Sequence, residues 1–299
     1  MGLVRYRRLA IISTIGVCLL TVAGGAVRLT GSGLGCDDWP ACNQERFIDV
    51  SSMHAAIEQI NRIFSGLIGL PVLALFVGSF FVRNRTGLRW PAAGVFVTVF
   101  ANGVVGGLAV LGDLHPALVQ SHFLLAMLSI AFGLVAIRRS GPTPSNQTLR
   151  EPWSVLLAVT TFAALVSGTV VTGTGPHAGD ETARRFGFDI SNVARTHSII
   201  VIVSIVIALV LAWTVRHRHL AGVVSSWMFV GLLQGVIGYV QYFNDVPELL
   251  VGLHIAGATG LWVVTVWLLL VANDTELASP DVPAALDDLT EPKHSFASS

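Results

Sequence analysis

Eight long apolar segments, separated by short polar stretches, run through the 299 residues of this chain. A helix needs about 20 apolar residues to cross a bilayer, and these segments lack the two-residue alternation of membrane β-strands. Hydrophobic residues make up 53% of the chain and charged residues 12%, a composition that a soluble fold of this length cannot hide from water. We therefore predict an all-α integral membrane protein with eight transmembrane helices, at about residues 9–27, 55–82, 91–111, 116–137, 153–172, 192–214, 222–243 and 248–271.

Positive charge predicts the orientation of these spans, because Lys and Arg concentrate in cytoplasmic loops. With a cytoplasmic N-terminus, that side holds twelve of the 18 Lys and Arg residues: Arg5, Arg7, Arg8, Arg83, Arg85, Arg89, Arg138, Arg139, Arg150, Arg216, Arg218 and Lys293. We expect a multi-pass protein of the cell membrane with both termini in the cytoplasm. The basic N-terminus resembles a signal peptide, but the long apolar run without a clear cleavage site favours a helix. No basic patch with interleaved aromatic residues indicates a nucleic-acid partner.

The two halves of the chain repeat each other. Residues 25–33, at the end of the first span, match residues 168–175 at the end of the fifth. Asn102–Gly106 matches Gln234–Gly238, and each of these segments begins twenty residues before a histidine. Because each half has four spans, both keep the same orientation, and the sequence predicts two four-helix bundles related by a parallel repeat.

This repeat divides the chain into four parts. Residues 1–139 form the N-terminal half, 140–152 a cytoplasmic linker, 153–272 the C-terminal half and 273–299 a tail. The Pro, Ser and Gly of the linker break helices. The tail is acidic and rich in Pro, Ala and Ser, so we expect it to be disordered in the cytoplasm.

Three histidines lie a few residues inside spans that enter the membrane from the same side: His122, His197 and His254. A lone helix histidine is more often a packing residue, but repeat-related imidazoles in a bilayer indicate axial ligands of haem iron. At 1.5 Å per residue they lie roughly 10 Å below the outer helix ends. We expect His197 and His254 to bind opposite faces of one haem. A second haem would lie between His122 and Asn61, which stands where a fourth histidine is expected.

Glu58 is the predicted catalytic residue. A carboxylate inside a span is expensive to bury, and Glu58 lies three residues before Asn61, hence on the same helical face. Its counterpart in the second half is Ala194, so we expect the chemistry in the first half. The alternative is a structural ion pair between Glu58 and Arg62. Arg62 and Arg195 are also candidates for binding haem propionates, with ordinary interfacial snorkelling as the other interpretation.

Cys36 and Cys42 both fall in the first outer loop. An oxidising compartment permits a disulfide there, and we predict one. A redox-active pair and two unrelated thiols remain alternatives.

Together these residues resemble the haem A synthase family. The resemblance lies in the outer-loop segment GSGLGCDDWPAC, in IEQINR of the second span and in the three histidines, and it extends over about residues 9–272. It implies an oxidoreductase that acts on a CH group, converting the C8 methyl of haem O to the formyl of haem A for haem–copper terminal oxidases. It also implies haem b as the cofactor of His197 and His254, haem O as substrate, and the membrane enzyme that makes haem O as a partner.

The chain departs from the family pattern at Asn61, where better-known members carry a histidine. We therefore expect His122 alone to ligate the substrate iron, while Asn61 hydrogen-bonds a water or the porphyrin edge. Two other functions share some of these features. A non-enzymatic membrane cytochrome b, passing electrons from quinol to a partner, would not explain a glutamate in one half only, and a transporter would not explain the histidines. The sequence leaves a homo-oligomer open.

Overall fold

The computed structural model describes residues 1–83, 85–142, 145–147, 151–214 and 220–276. It contains eight long helices: α1 (Leu3–Leu29), α2 (Met53–Ser79), α3 (Arg89–Leu111), α4 (Pro116–Arg139), α5 (Pro152–Thr174), α6 (Ile190–Thr214), α7 (Ala221–Phe243) and α8 (Glu248–Ala272). Each is long and apolar enough to cross a membrane, and apolar side chains such as Leu19, Phe100 and Phe229 are exposed on their outer faces. The protein is therefore a multi-pass membrane protein built from helices, as predicted.

The largest shift from the predicted spans is at the start of α1, which begins at Leu3 rather than near residue 9. The three arginines in between, Arg5, Arg7 and Arg8, are good helix formers. Their long side chains can leave the apolar region while the backbone continues as a helix.

Each half of the chain closes into a ring of four helices. In the first half α1 packs on α2, α2 on α3, α3 on α4 and α4 on α1, and helices α5 to α8 have the same order of neighbours. The ring places α2 diagonally opposite α4, and α6 opposite α8, with at most marginal backbone contact across either diagonal among the described residues. This order is consistent with the internal repeat, which itself remains a prediction.

The two rings pack against each other through α1, α4, α5 and α8. Trp262 of α8 donates its indole N–H to the carbonyl of Met127 in α4, at 2.8 Å. Gln120 of α4 donates to Thr169 Oγ1 of α5, also at 2.8 Å. One buried apolar cluster includes residues of both halves, so the halves share a core.

The loops lie at two ends of the bundle. Residues 30–52, 112–115, 175–189 and 244–247 connect helices at the end that carries both loop cysteines, called here the disulfide end. The opposite end, called the linker end, includes two short strands, β1 (Ser145–Gln147) and β2 (Asp274–Glu276), which pair antiparallel.

Residues 273–276, at the start of the predicted tail, belong to the described part of the chain. Asn273 is buried, donating through Nδ2 to Ser154 Oγ and accepting from the Glu151 N–H, both at 2.8 Å. Residues 274–276 form strand β2, and the disordered tail stays a prediction. The rest of the predicted tail, from residue 277, lies outside the described residues, as do four residues of the charge pattern: Arg150, Arg216, Arg218 and Lys293.

Candidate functional site

His122 lies in α4 against a glycine of α3. Its Nδ1 is 2.9 Å from the carbonyl oxygen of Asn102, and a Cβ on Gly106 would lie only 2.8 Å from its Cε1. A carbonyl can only accept, so Nδ1 carries the hydrogen and the lone pair resides on Nε2. Histidines that bind metals are oriented in this way, with the second ring nitrogen donating to a carbonyl.

His197 of α6 is oriented by the neighbouring helix α5. Its Nδ1 is 2.9 Å from Ser167 Oγ, and this hydroxyl already donates its hydrogen to the carbonyl of Ala164 at 3.0 Å. With its hydrogen directed to Ala164, Ser167 Oγ can accept from Nδ1–H, and in this tautomer the lone pair lies on Nε2. A Cβ on Gly168 would lie 3.1 Å from Cε1 of the ring, so this imidazole also packs against a glycine.

His254 of α8 completes the set. It lies in the helix diagonally opposite α6 in the second ring. Its ring packs against Gly238 of α7, where an added Cβ would lie 3.4 Å from Cε1. The Nδ1 atom is buried and has no hydrogen-bond partner among the described residues.

The three histidines supply imidazole nitrogens, a kind of ligand that haem iron binds. Among the described residues, His, Cys, Asp and Glu side chains form no group of three or more that could hold an ion. Two neutral imidazoles on diagonally opposite helices suit the two axial positions of haem, and His197 and His254 occupy such helices. In the N-terminal half, His122 stands opposite a helix that carries Asn61 in place of an imidazole.

Glu58 is buried beneath the first loop of the disulfide end, and both of its oxygens are hydrogen-bonded. Oε2 accepts from the backbone N–H of Cys36 at 2.8 Å. Oε1 accepts from Arg62 Nη2 at 2.6 Å and from Nε at 3.1 Å. The ion pair with Arg62, considered from the sequence as a structural alternative, is thus present, and it offsets part of the cost of burying the carboxylate.

The loop above Glu58 is closed by the expected disulfide between Cys36 and Cys42. Arg62 Nη1 donates to the carbonyls of Asp38 and Ala41, both at 3.0 Å. Together with Glu58, Arg62 therefore fixes this disulfide loop, residues 36–42, to α2.

Asn61 stands next to this cluster with a free amide oxygen. Its Oδ1 is buried and has no hydrogen-bond partner among the described residues. An unpaired buried acceptor is costly, so the side chain is available to a bound group that can donate.

Comparison with known proteins identifies the family. The model of a family described as cytochrome oxidase assembly protein matches residues 7–179, more than half of the chain. The chain belongs to this family. The matched region contains Glu58, Asn61, His122 and the disulfide loop, whereas His197 and His254 lie beyond it.

Similar proteins in this family carry the name heme A synthase. One from Exiguobacterium sp. is 31% identical over 135 residues, which are 44% of this chain and 45% of the relative. One from Exiguobacterium sibiricum is 28% identical over 178 residues, 56% of this chain and 58% of the relative. One from Bacillus cereus is 32% identical over 125 residues, 41% and 40% of the two chains. The chain thus spans about half the length of the curated relatives it matches.

The contacts of two residues, Trp39 and Arg28, were not predicted from the sequence. Trp39 of the disulfide loop lies flat enough on α3 that a Cβ on Gly107 would collide with its ring. Gly107 follows Gly106, which contacts His122, so the loop covers α3 beside the candidate ligand. Arg28 is the second; it donates to the Thr172 carbonyl at 2.7 Å and to the His177 carbonyl, joining α1 to α5. The adjacent glycines Gly106 and Gly107 were the sequence signal for a close contact on α3, whereas no sequence signal indicated the contacts of Arg28.

Arg195, the second propionate candidate, is exposed near the start of α6. Asp189 lies six residues earlier, just before α6 begins at Ile190. Hydrogen bonds from the Ser191 hydroxyl and the Asn192 N–H hold the pKa of Asp189 below its usual range. Arg195 therefore borders an N-terminal cap of α6 at the disulfide end, two residues before His197.

Proposed function

We propose that this protein is a haem A synthase, which oxidises the C8 methyl of haem O to the formyl of haem A for haem–copper terminal oxidases. Two successive hydroxylations convert the methyl carbon to a geminal diol, which loses water to leave the aldehyde. This is a four-electron oxidation of the carbon by an external oxidant, with the oxygen atom taken from water or dioxygen. The observation that carries the proposal is the family match over residues 7–179, because that region holds the complete candidate substrate site. The geometry of the three histidines supports it independently.

In the C-terminal half, His197 and His254 would hold haem b. When bound, haem b supplies a one-electron carrier. Ser167 fixes the tautomer of His197, with its Nε2 lone pair available to iron. Arg195, at the disulfide end of the same helix, is the candidate partner of a haem b propionate.

In the N-terminal half, His122 would hold the iron of haem O. Asn61 offers an amide and no imidazole on the opposite helix, so the substrate iron has one imidazole ligand. The free Oδ1 of Asn61 would accept a hydrogen bond from a water or bind at the porphyrin edge.

Glu58 is the proposed acid–base or charge-stabilising group of the oxidation. Its burial in the same helix as Asn61 supports this role, because the two residues are one helical turn apart. Arg62 holds this carboxylate in one orientation and completes the substrate-binding set. The Cys36–Cys42 loop closes the disulfide end over these residues.

The proposed function requires a defined orientation in the membrane and a source of haem O. The disulfide end faces the outside of the cell membrane, and both termini are in the cytoplasm. The membrane enzyme that produces haem O is the expected partner, because a large and poorly soluble substrate needs direct delivery.

Pigment analysis of the purified protein tests this function. From a host that makes haem O and lacks its own haem A synthase, we expect haem b together with haem O or haem A. His197→Ala should remove haem b, whereas His122→Ala should remove only the substrate haem. A colourless protein overturns the proposal, and a haem b protein that never converts haem O supports the membrane cytochrome instead.

Replacement of Glu58 by glutamine tests whether this side chain must carry charge or exchange a proton. The single amide oxygen of the Glu58→Gln variant can accept from the Cys36 N–H or from Arg62, but not from both, because the amide –NH2 only donates. We expect haem A formation to fall by about 100-fold or more, the usual range for a general acid–base group, with the haem b spectrum retained. The matched control is Glu248→Gln, an exposed glutamate at the same end of the bundle. Full activity of Glu58→Gln would limit this residue to anchoring the loop.

A further inference from the structure

A second unpaired amide lies beside the candidate substrate ligand. The backbone carbonyl oxygen of Asn102 is hydrogen-bonded to His122 Nδ1. Gly106, one helical turn further along α3, contacts the same imidazole. Asn102 and Gly106 therefore share the face of α3 that meets His122.

The amide oxygen of the Asn102 side chain is not hydrogen-bonded by the described residues. Its Oδ1 is buried and has no hydrogen-bond partner among the described residues. Leaving a buried acceptor unpaired costs about 1–3 kcal/mol, and the bilayer offers little water to satisfy it. A residue that serves only packing would be better apolar at this position.

The corresponding amide of the C-terminal half, Gln234, also has a buried oxygen without a hydrogen-bond partner among the described residues, but it is placed differently. Gln234 directs its amide against Gly257 of α8, where a Cβ would collide with Nε2. Gly257 lies three residues after His254, whereas the residue three after His122 is Leu125. The N-terminal half thus combines a shorter amide with a bulkier neighbour, so the Asn102 amide is not used in the same helix contact.

We infer that Asn102 is a substrate-binding residue, whose amide oxygen accepts a hydrogen bond from the hydroxyl group on the hydroxyethylfarnesyl chain of haem O. This inference rests on the proposed function, since it deepens the same site. Haem O is larger than protohaem and carries a hydroxyl where protohaem has only a vinyl group. A buried acceptor favours the substrate that can donate to it, because binding of the other substrate leaves the amide unpaired. Asn102 therefore selects haem O over protohaem.

The test is a haem titration of the purified protein carrying its resident haem b, followed by the Soret band, with haem O and protohaem as separate probes. Asn102→Leu, which has a similar size and no acceptor, should weaken haem O binding by about tenfold, the equivalent of one good hydrogen bond. Protohaem binding to this variant should stay unchanged. Asn102→Gln should recover part of the haem O affinity, and Gln234→Leu, the matched amide of the other half, should leave the ratio of the two affinities as it is.

An unchanged affinity ratio in Asn102→Leu overturns the inference, and so does an equal loss of both haems, which would indicate a purely structural role. Failure of the proposed function has a different signature: the unaltered protein would neither bind nor convert haem O.

Discussion

The carboxylate of Glu58 in α2 and the backbone N–H of Cys36 in the disulfide loop are 2.8 Å apart, joined by a hydrogen bond. This bond, with the ion pair to Arg62, makes the loop and the buried carboxylate one structural unit. Glu58, which the sequence analysis predicts to be catalytic, thus also anchors the disulfide loop.

Removing the disulfide tests how much the Cys36–Cys42 bond contributes to the order of the loop beyond the contacts of Glu58 and Arg62. For Cys36→Ala/Cys42→Ala we expect a loss of about 2 kcal/mol from the unconstrained short loop and faster proteolysis of residues 36–42. The haem b spectrum should be retained, because His197 and His254 lie in the other half. Cys18→Ala, a free cysteine inside α1, is the control; loss of haem b in the double variant would contradict this separation of the halves.

Adding a methyl group at Gly106 should displace His122. The new Cβ of Gly106→Ala would lie 2.8 Å from Cε1 of the ring, closer than atoms pack, so the ring must turn. We expect weakened haem O binding with haem b retained, measured by pigment extraction. Gly103→Ala has nothing within 4 Å of its added Cβ and should bind both haems normally; equal behaviour of the two variants would refute the close contact.

Ser167 fixes the tautomer of His197, and its loss should loosen haem b. Ser167→Ala removes the acceptor of Nδ1–H, and partners of this kind are worth about 10–100-fold in metal affinity. The measurement is haem b occupancy and its reduction potential after purification. Ser226→Ala removes an exposed hydroxyl of α7 that bonds only within its helix, and it should match the unaltered protein.

Arg28 joins the two halves, so its replacement should lower thermal stability. Its guanidinium donates to carbonyls of Thr172 and His177, and hydrogen bonds to charged groups contribute about 1.5–3 kcal/mol each. We expect Arg28→Met to unfold at lower temperature in detergent, whereas Arg184→Met, an exposed arginine at the same end of the bundle, should not. Equal midpoints for Arg28→Met and the unaltered protein would show that the apolar core alone holds the halves together.

The cap of α6 should depend on pH through Asp189. The hydrogen bonds that lower its pKa stabilise the folded protein above the ordinary carboxyl pKa of about 4, and the contribution is lost as pH falls through the lowered folded pKa. Asp189→Asn keeps an acceptor that does not titrate. The difference in melting temperature between the two proteins should be constant at neutral pH and shrink only below about pH 4; a change near neutrality would contradict this assignment.

The sequence was sufficient for the helices, because about 20 apolar residues in a row leave the backbone few alternatives in a bilayer. It was also sufficient for the disulfide and the family, since these rest on local motifs such as GSGLGCDDWPAC. It did not indicate the hydrogen bonds of Asn273, because its partners Ser154 and Glu151 lie more than a hundred residues earlier.

The tertiary structure alone decided which polar groups are engaged and which remain free. Composition and spacing placed Glu58, Asn61 and the histidines in the membrane, but not the bonds of Glu58 to Cys36 and Arg62, or the unpaired oxygens of Asn61 and Asn102. Arg28 shows the reason, since it lies 144 residues from its acceptor Thr172. A polar residue within an apolar segment needs a partner, because burying it unpaired is costly, and this need can be read from the sequence. Which partner it finds is determined by the packing of distant helices.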